Sequence, residues 1–357
     1  MTDSLPTILK KINQAENPAD FSALLAGLEQ ALPADDSARA EALLQAGELL
    51  TAKGQNQAAQ RLLESASGMA QRLGAKGQHA LALALLADIL RAQGDFRGAL
   101  RKLMAARQTL GQNPQSDRGI SARIYILSGL NNMSLGDYDS ARQDFFEAYQ
   151  IYSQLEDLPG KAIAANRLGT IATMLEEYNE AESYLQESLR IARQLNDRHA
   201  MAGALLNLGE IQRLRENPSA ARPLYYEASA LFAGLGMHRG MCIAENNLGH
   251  IHVQVQDYST AKYHYLRALE CAKIAGLIPD TLDTLAGLTF IFISRQEYEQ
   301  AAFCVAYILK HPAHLQETEQ FLAAAQTALS GQAQFRGALP PPEQLQQVVE
   351  DMLAKIF

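Results

Sequence analysis

One alanine recurs at a nearly constant interval through most of this 357-residue chain. The seven copies are Ala59, Ala99, Ala141, Ala181, Ala221, Ala261 and Ala301. Successive copies lie 40 residues apart, except for a single interval of 42 residues. A fixed period of this size is typical of repeat proteins, in which each unit packs only on its neighbours. The sequence therefore predicts seven copies of one structural unit.

Each copy carries a small residue and a large residue at fixed distances from its alanine. Twelve residues before the alanine stand Gly47, Gly129, Gly169, Gly209 and Gly249, with Ala87 and Thr289 in the remaining two copies. Four residues after it stand Leu63, Leu103, Phe145, Leu185, Tyr225, Tyr265 and Val305. An offset of four residues keeps two side chains on one face of a helix, and the earlier glycine then belongs to a second helix. Each unit is predicted to be a helical hairpin in which the small residue of one helix leaves room for the large side chain of the other.

Turn residues separate the two helices of a unit. Gly94 and Gly136 can end a helix in the left-handed conformation. An acidic residue just before the second helix can cap that helix and interact favourably with its positive end. The acidic residues are Asp95, Asp137, Glu177, Asp257 and Glu297.

Composition narrows the classes of function. The chain has 31 Lys and Arg against 39 Asp and Glu, a net charge of -8, which argues against a nucleic-acid surface that must neutralise many phosphates. No apolar run reaches the roughly 18 to 20 residues of a membrane span, and the first 14 residues lack the apolar core of a signal peptide. Three cysteines without CxxC spacing predict reduced, buried thiols. A cytoplasmic protein is expected.

The repeat pattern resembles the tetratricopeptide repeat family, in which a Leu-Gly pair precedes a conserved alanine and an aromatic residue. The segment ENNLGHIHVQVQDYSTAKYHYLRALECA, residues 245–272, carries the resemblance most clearly. Two departures are a 40-residue period instead of 34 and the absence of the late proline. The longer period is similar to that of kinesin light chain-like adaptors and bacterial regulators. The resemblance implies an all-α, right-handed superhelical solenoid of about seven helix-turn-helix repeats with helical caps.

Three domains are predicted. Residues 1–36 form a helical cap or degenerate repeat, residues 37–313 form the seven repeats, and residues 314–357 form capping helices. The last predicted helix, residues 343–357, has an apolar stripe that could close the array or dock a partner.

No enzyme signature is present in the sequence. His250 and His252 lack the i, i+4 spacing of two metal ligands on one helical face. The glycines of residues 234–240 lack the strand and the Lys-Ser/Thr of a phosphate loop. No catalytic residue, metal or cofactor is therefore predicted.

Function is expected on the first helices, whose non-core positions line the concave face in such a fold. The predicted peptide-binding residues are Arg123, Asn166, Arg167, Thr170, Asn207, Glu210, Arg213, Asn246, Asn247 and His250. The resemblance adds that long-repeat adaptors hold peptide backbone with asparagines ahead of the Leu-Gly pair, which matches Asn207 and Asn247. The alternative is that these asparagines bond only neighbouring helices.

The predicted function is a non-enzymatic scaffold that binds an extended protein or peptide segment. Arg123, Arg167 and Arg213 outnumber Glu210 among these positions, which favours an acidic peptide. The alternative is a sensor or regulatory subunit whose output domain is on another chain, because residues 311–322 resemble the ends of such bacterial regulators. Neither nucleic acid nor membrane is expected as a partner, and the sequence sets no oligomeric state.

Overall fold

A computed structural model describes residues 4–15, 18–111, 117–311 and 316–330. The described residues form seventeen α-helices and contain no strand, which confirms the all-α prediction. The helices are α1 (Leu5–Gln14), α2 (Pro18–Ala31), α3 (Asp36–Ala52), α4 (Asn56–Arg72), α5 (Lys76–Ala92), α6 (Phe96–Leu110), α7 (Arg118–Ser134), α8 (Tyr138–Gln154), α9 (Leu158–Met174), α10 (Tyr178–Gln194), α11 (Arg198–Leu214), α12 (Pro218–Gly234), α13 (His238–Gln254), α14 (Tyr258–Ala275), α15 (Ile278–Ser294), α16 (Tyr298–Lys310) and α17 (Gln316–Ser330).

The chain divides into two compact units, Met1–Glu177 and Tyr178–Phe357. In the first unit α3 packs on α4, α5 on α6 and α7 on α8, and α9 packs on α8. In the second unit α10 packs on α11, and the hairpins are α11 with α12, α13 with α14 and α15 with α16. Each hairpin also packs on the next one within its unit, which is the arrangement of a helical-repeat fold.

The predicted contact between the small and the large residue is present in the hairpins. A Cβ atom at Gly129 would lie 2.5 Å from the ring of Phe145, and one at Gly249 would lie 2.5 Å from the ring of Tyr265. Both aromatic side chains are completely buried. Any side chain at these glycines would therefore separate the two helices of the hairpin.

Aspartate caps form where the turn sequence predicts them. Asp95, Asp137 and Asp257 each accept a hydrogen bond from the backbone N–H three residues later, at 2.8 to 3.2 Å. Glu297 occupies the same position before α16 and makes no such bond. The shorter aspartate side chain is the one that helix N-termini prefer.

Three further features bear on the sequence predictions. Cys242, Cys271 and Cys304 are buried and form no disulfide. Within the described segments, no helix combines the length and the apolar character needed to cross a bilayer. The predicted helix of residues 343–357 lies outside the described residues, and the division into cap, seven repeats and cap stays a prediction.

Candidate functional site

The first helices of the second unit carry a set of polar side chains, some half-buried and one buried. We call this surface the α11–α13–α15 face. Its residues are Asn207, Glu210 and Arg213 on α11, Asn246, Asn247 and His250 on α13, and Asp283 on α15. Six of these seven residues are predicted site residues, and Asp283 is one that the sequence analysis missed.

A buried tyrosine orients the charged pair on α11. The Tyr225 hydroxyl, which is completely buried, donates to Glu210 Oε2 at 3.0 Å. The same carboxylate accepts bonds from Arg213 Nε at 2.9 Å and Nη2 at 2.5 Å. The hydrogen bond to Glu210 raises the pKa of Arg213. Glu210 and Arg213 are therefore held as a fixed ion pair on the α11–α13–α15 face.

The next repeat builds the same arrangement around a histidine. The Tyr265 hydroxyl lies 2.9 Å from His250 Nδ1. On the other side of the ring, His250 Nε2 lies 3.2 Å from Asn246 Nδ2 and 3.7 Å from Asp283 Oδ2. Burial raises the pKa of Asp283, but hydrogen bonding and attraction from His250 outweigh that effect and lower it. Asp283 is therefore ionised at neutral pH beside His250.

The two tyrosines show how the repeat positions this surface. Glu210 and His250 each directly follow the glycine of the hairpin, and each contacts a tyrosine 15 residues later in the same repeat. The hydroxyl crosses the hairpin at the close approach that the glycine permits. In the sequence, the signal for this link has two parts. A polar residue directly follows the glycine, and a tyrosine stands 15 residues after that polar residue, where other repeats have leucine, phenylalanine or valine.

The asparagines of this face are not equivalent. Asn246 is 7% exposed and donates to Asp283 on α15, so it bonds a neighbouring helix as the alternative reading of the sequence allows. Asn247 is half-buried, and within the described chain its side chain has no hydrogen-bond partner. Asn207 holds the equivalent position on α11 and already interacts with another residue. Asn247 therefore offers a free donor and a free acceptor.

The other predicted site residues lie in the first unit. Arg123 on α7 forms an ion pair with Glu48 on α3, with 2.5 Å between Nη2 and Oε1. Asn166, Arg167 and Thr170 lie on α9, where Thr170 Oγ1 donates to the Asn166 carbonyl at 2.9 Å. The predicted positive bias is offset at Arg123 by Glu48 and at Arg213 by Glu210. Among the described residues Arg167 forms no ion pair, and the charges that act on it are those of Arg91 and Asp88.

A buried ionic cluster lies between α12, α13 and α14, and sequence reasoning did not anticipate it. The Glu245 carboxylate is 1% exposed. It accepts from Ser229 Oγ at 2.5 Å, and it lies 2.7 Å from His264 Nδ1 and 3.0 Å from Arg267 Nη1. These bonds satisfy a carboxylate that would otherwise be very costly to bury.

The cluster continues through a tyrosine to a second histidine. The Tyr226 hydroxyl lies 3.0 Å from His264 Nε2 and 3.4 Å from His252 Nε2. His252 Nδ1 lies 3.2 Å from Asp257 Oδ2, the cap of α14. His252 is thus buried in this cluster while His250 belongs to the α11–α13–α15 face.

In the part of the chain that the structure describes, no three His, Cys, Asp or Glu side chains are placed to hold a metal ion.

The comparisons with known proteins agree with this architecture. The tetratricopeptide repeat family model matches residues 121–194 and 161–234. A search of curated proteins finds no match. Among solved structures, a Rap protein complexed with competence and sporulation factor is 12% identical over 99% of each chain, with a TM-score of 0.63.

Two further structures have the same fold. Aspartyl phosphate phosphatase F from Bacillus subtilis is 14% identical over 100% of this chain and 95% of its own, with a TM-score of 0.61. A signal transduction ATPase with a tetratricopeptide repeat sensor, from Pyrococcus horikoshii, is 16% identical over 94% of this chain and 54% of its own, with a TM-score of 0.57. At these identities the likeness extends to the fold alone.

Proposed function

We propose that this chain, which is a tetratricopeptide-repeat protein, binds an extended segment of a partner protein on the α11–α13–α15 face. Repeats of this kind typically serve as non-catalytic interaction scaffolds. The observation that carries the proposal is the half-buried Asn247 amide without a partner among the described residues, next to an ordered set of polar side chains.

Recognition of peptide backbone is the chemistry that this face supports best. An asparagine amide presents one acceptor and two donors, which match the carbonyl and the N–H of an extended chain. Asn207 and Asn247 stand at equivalent positions of adjacent repeats, so a peptide lying across both helices would meet one amide from each. Asn207 would exchange its present interaction for the peptide.

The neighbouring side chains are ordered before any partner arrives. The Tyr225 hydroxyl restrains Glu210, and the Tyr265 hydroxyl restrains His250. Because these side chains are already restrained in the free protein, binding a partner costs less conformational entropy. The face is therefore suited to specific recognition instead of nonspecific adhesion.

Charge contributes less to this face than the sequence suggests. Arg213 is paired with Glu210, and His250 lies beside Asp283. The negative charge of the two carboxylates on the α11–α13–α15 face therefore equals or exceeds the positive charge on the same face. We therefore assign recognition here to the peptide backbone. The acidic partner expected from the sequence stays a prediction, and peptides of the same length with acidic or neutral side chains test it.

The first prediction concerns the two amides. Affinity capture from the source cell followed by mass spectrometry identifies the partner, and a synthetic peptide from it is titrated by calorimetry. The double variant Asn207→Ala with Asn247→Ala should weaken binding by about 1 to 3 kcal/mol, because peptide groups would lose their hydrogen bonds. Its circular dichroism should match that of the unaltered protein.

The matched control removes an exposed amide from a helix outside the face. Gln194→Ala on α10 should leave the affinity unchanged. Equal affinity of the double variant and the unaltered protein would refute the proposed role of the α11–α13–α15 face.

A regulatory role is the second candidate. It has one observation in its favour, the alignment of 94% of this chain with a protein whose name includes a tetratricopeptide repeat sensor. In that case the captured partner would be an ATPase, a cyclase or a DNA-binding output protein. A partner without any such activity would favour the adaptor role.

A further inference from the structure

Two buried histidines in the ionic cluster between α12, α13 and α14 contact the same oxygen atom. The Tyr226 hydroxyl lies 3.0 Å from His264 Nε2 and 3.4 Å from His252 Nε2. The two imidazole rings are stacked, with their centroids 5.4 Å apart. Both histidines are buried, whereas Tyr226 is 43% exposed. The tyrosine hydroxyl therefore joins two buried imidazoles to a side chain that reaches the solvent.

The other nitrogen of each ring is held by a carboxylate. His264 Nδ1 lies 2.7 Å from Glu245 Oε2, and His252 Nδ1 lies 3.2 Å from Asp257 Oδ2. An ionised carboxylate only accepts hydrogen bonds, so the Nδ1 atom of each ring carries a proton. In a neutral ring the Nε2 atom is then an acceptor. Both neutral rings therefore present a lone pair to the Tyr226 hydroxyl.

The Tyr226 hydroxyl cannot donate to both rings. A phenol has a single proton, and the shorter distance assigns it to His264 Nε2. His252 Nε2 then faces the hydroxyl oxygen without receiving a hydrogen bond from it. Two imidazole nitrogens and one phenol oxygen thus meet at one point with one proton between them. A cation at this point would interact favourably with all three atoms.

The distances between these atoms suit a tetrahedral metal ion. Zinc binds histidine nitrogen at about 2.0 to 2.1 Å, and two ligand atoms of a tetrahedron with such bonds lie about 3.3 to 3.4 Å apart. The two nitrogen–oxygen distances at Tyr226 are close to this separation. The carboxylates at the Nδ1 atoms also match the outer shell that metal-bound histidines usually have.

We propose that His252, His264 and Tyr226 form a binding site for one zinc ion, with a water molecule as the fourth ligand. Imidazole nitrogen is a preferred ligand of zinc. The carboxylates of Glu245 and Asp257 are held at the Nδ1 atoms, so the third protein ligand is the tyrosine oxygen. On binding, the Tyr226 O–H bond breaks, a zinc–oxygen bond forms and the proton passes to the solvent.

The charges around the site favour a cation. Glu245 and Asp257 supply two negative charges, whereas one arginine, Arg267, is paired with them, at 3.0 Å from Glu245 Oε1. Arg222 on α12 is exposed, so solvent ions screen its charge. The zinc site lies in the second unit and does not use any residue of the α11–α13–α15 face.

The test uses the full chain without an affinity tag, freed of metal with a chelator that is then removed by dialysis. Zinc chloride is titrated into it by calorimetry at neutral pH, and we expect saturable binding of one zinc ion per chain. Ultraviolet difference spectra should show an ionised phenol that increases with zinc occupancy. Magnesium chloride should give no binding heat, because magnesium requires octahedral oxygen ligands.

One tyrosine variant and its matched control assign the third ligand. Loss of an outer-shell partner already weakens metal binding by about tenfold or more, so Tyr226→Phe should weaken zinc binding at least tenfold and abolish the phenol signal. The tyrosine is exposed, and the variant keeps its ring. Tyr263→Phe removes the hydroxyl of another exposed tyrosine whose ring contacts His264, and it should retain both the affinity and the signal.

A second pair of variants tests the imidazoles. His252→Gln should weaken zinc binding at least tenfold, because it removes a ligand nitrogen. His199→Gln removes an exposed histidine on α11 and should retain the original affinity. Circular dichroism of each variant without zinc should match that of the unaltered chain.

Three results would overturn the proposal. One is the absence of saturable zinc binding to the unaltered chain. Another is a zinc affinity that Tyr226→Phe or His252→Gln retains, or that Tyr263→Phe loses to the same extent. The third is zinc binding without the ionised-phenol signal, which would place the ion elsewhere. None of them bears on the Asn207 and Asn247 experiment, which is therefore judged separately.

Discussion

Asn131 is a polar residue at a position that is apolar in every other repeat. The equivalent residues are Leu49, Ile89, Ile171, Ile211, Ile251 and Ile291. Asn131 is completely buried, and neither its Nδ2 nor its Oδ1 has a hydrogen-bond partner among the described residues. Burying an amide without partners costs free energy, so this position reduces the stability of the first unit.

Replacing this amide tests the cost directly. Asn131→Leu keeps the branching of the side chain and removes its polar atoms, so the free energy of unfolding should rise by about 1 to 3 kcal/mol. Chemical denaturation followed by circular dichroism measures the change.

The adjacent asparagine provides a control of opposite sign. Asn132 Nδ2 donates to Asp144 Oδ2 at 2.9 Å. Asn132→Leu should therefore lower the free energy of unfolding by about 1 kcal/mol. A loss of stability in Asn131→Leu of the same size as in Asn132→Leu would contradict the assignment of Asn131 as unpaired.

At the scale of the helices, the end of each element follows a regular rule. From Gly136 to Gln296 a residue with positive φ recurs every 20 residues, which is once per helix. Glycine fills this position only in some turns. The non-glycine residues are Glu156, Glu176, Asn196, Glu216, Gln256 and Gln296, with φ between 53° and 62°.

Such residues carry a conformational penalty that glycine avoids. Gln256 is exposed, with φ of 59°, and lies in the turn between α13 and α14. Gln256→Gly should raise the free energy of unfolding by about 0.5 to 1 kcal/mol, because the left-handed conformation disfavours a Cβ atom. Thermal unfolding at fixed pH measures the change.

The same substitution inside a helix should act in the opposite direction. Ala230 is exposed within α12, and Ala230→Gly should lower the free energy of unfolding by about 1 kcal/mol. If Gln256→Gly lowers the free energy of unfolding instead, the added backbone entropy of the unfolded chain outweighs the removal of the conformational penalty at this left-handed position.

At the scale of the whole molecule, the buried ionic cluster predicts how stability depends on pH. His252 is 5% exposed and faces Tyr226 on α12, His264 on α14 and Asp257 in the intervening turn. Burial and then repulsion by His264 lower the pKa of His252, with a smaller contribution of the same sign from Arg222, although Asp257 opposes the shift. The folded chain therefore favours the neutral ring.

The sign of the effect follows from proton binding. As pH falls through about 6.5, the unfolded chain protonates His252 before the folded chain does, so the free energy of unfolding decreases. A second loss is expected at lower pH, because hydrogen bonds from Thr260 lower the pKa of Asp257 from 3.8 to about 2. That contribution is present above 3.8 and is lost as pH falls towards 2.

Denaturation at pH 7.5, 6.5 and 5.5 tests the first window. His252→Gln should lose less stability across this range than the unaltered chain. His199→Gln removes an exposed histidine from α11 and should keep the original dependence. An unchanged pH dependence in His252→Gln would exclude His252 as the group responsible.

The sequence alone determined the features that depend on local contacts. The 40-residue period, the glycine opposite Tyr265 and the aspartate cap at Asp257 predicted helical hairpins because each involves residues within one hairpin. Helical periodicity and capping are properties of short segments, so a sequence records them directly. The helices, their turns and the polar positions of the first helices were accessible in this way.

Only the tertiary structure decided which polar groups are already paired. Asn246 meets Asp283 from 37 residues away, and Arg123 meets Glu48 from 75 residues away. Such pairs depend on how successive hairpins stack, and side-chain distances of 3 Å are set by that packing and not by spacing along the chain. The sequence therefore proposed a set of candidate residues, whereas the packing distinguished Asn247 from the neighbours that stabilise the fold.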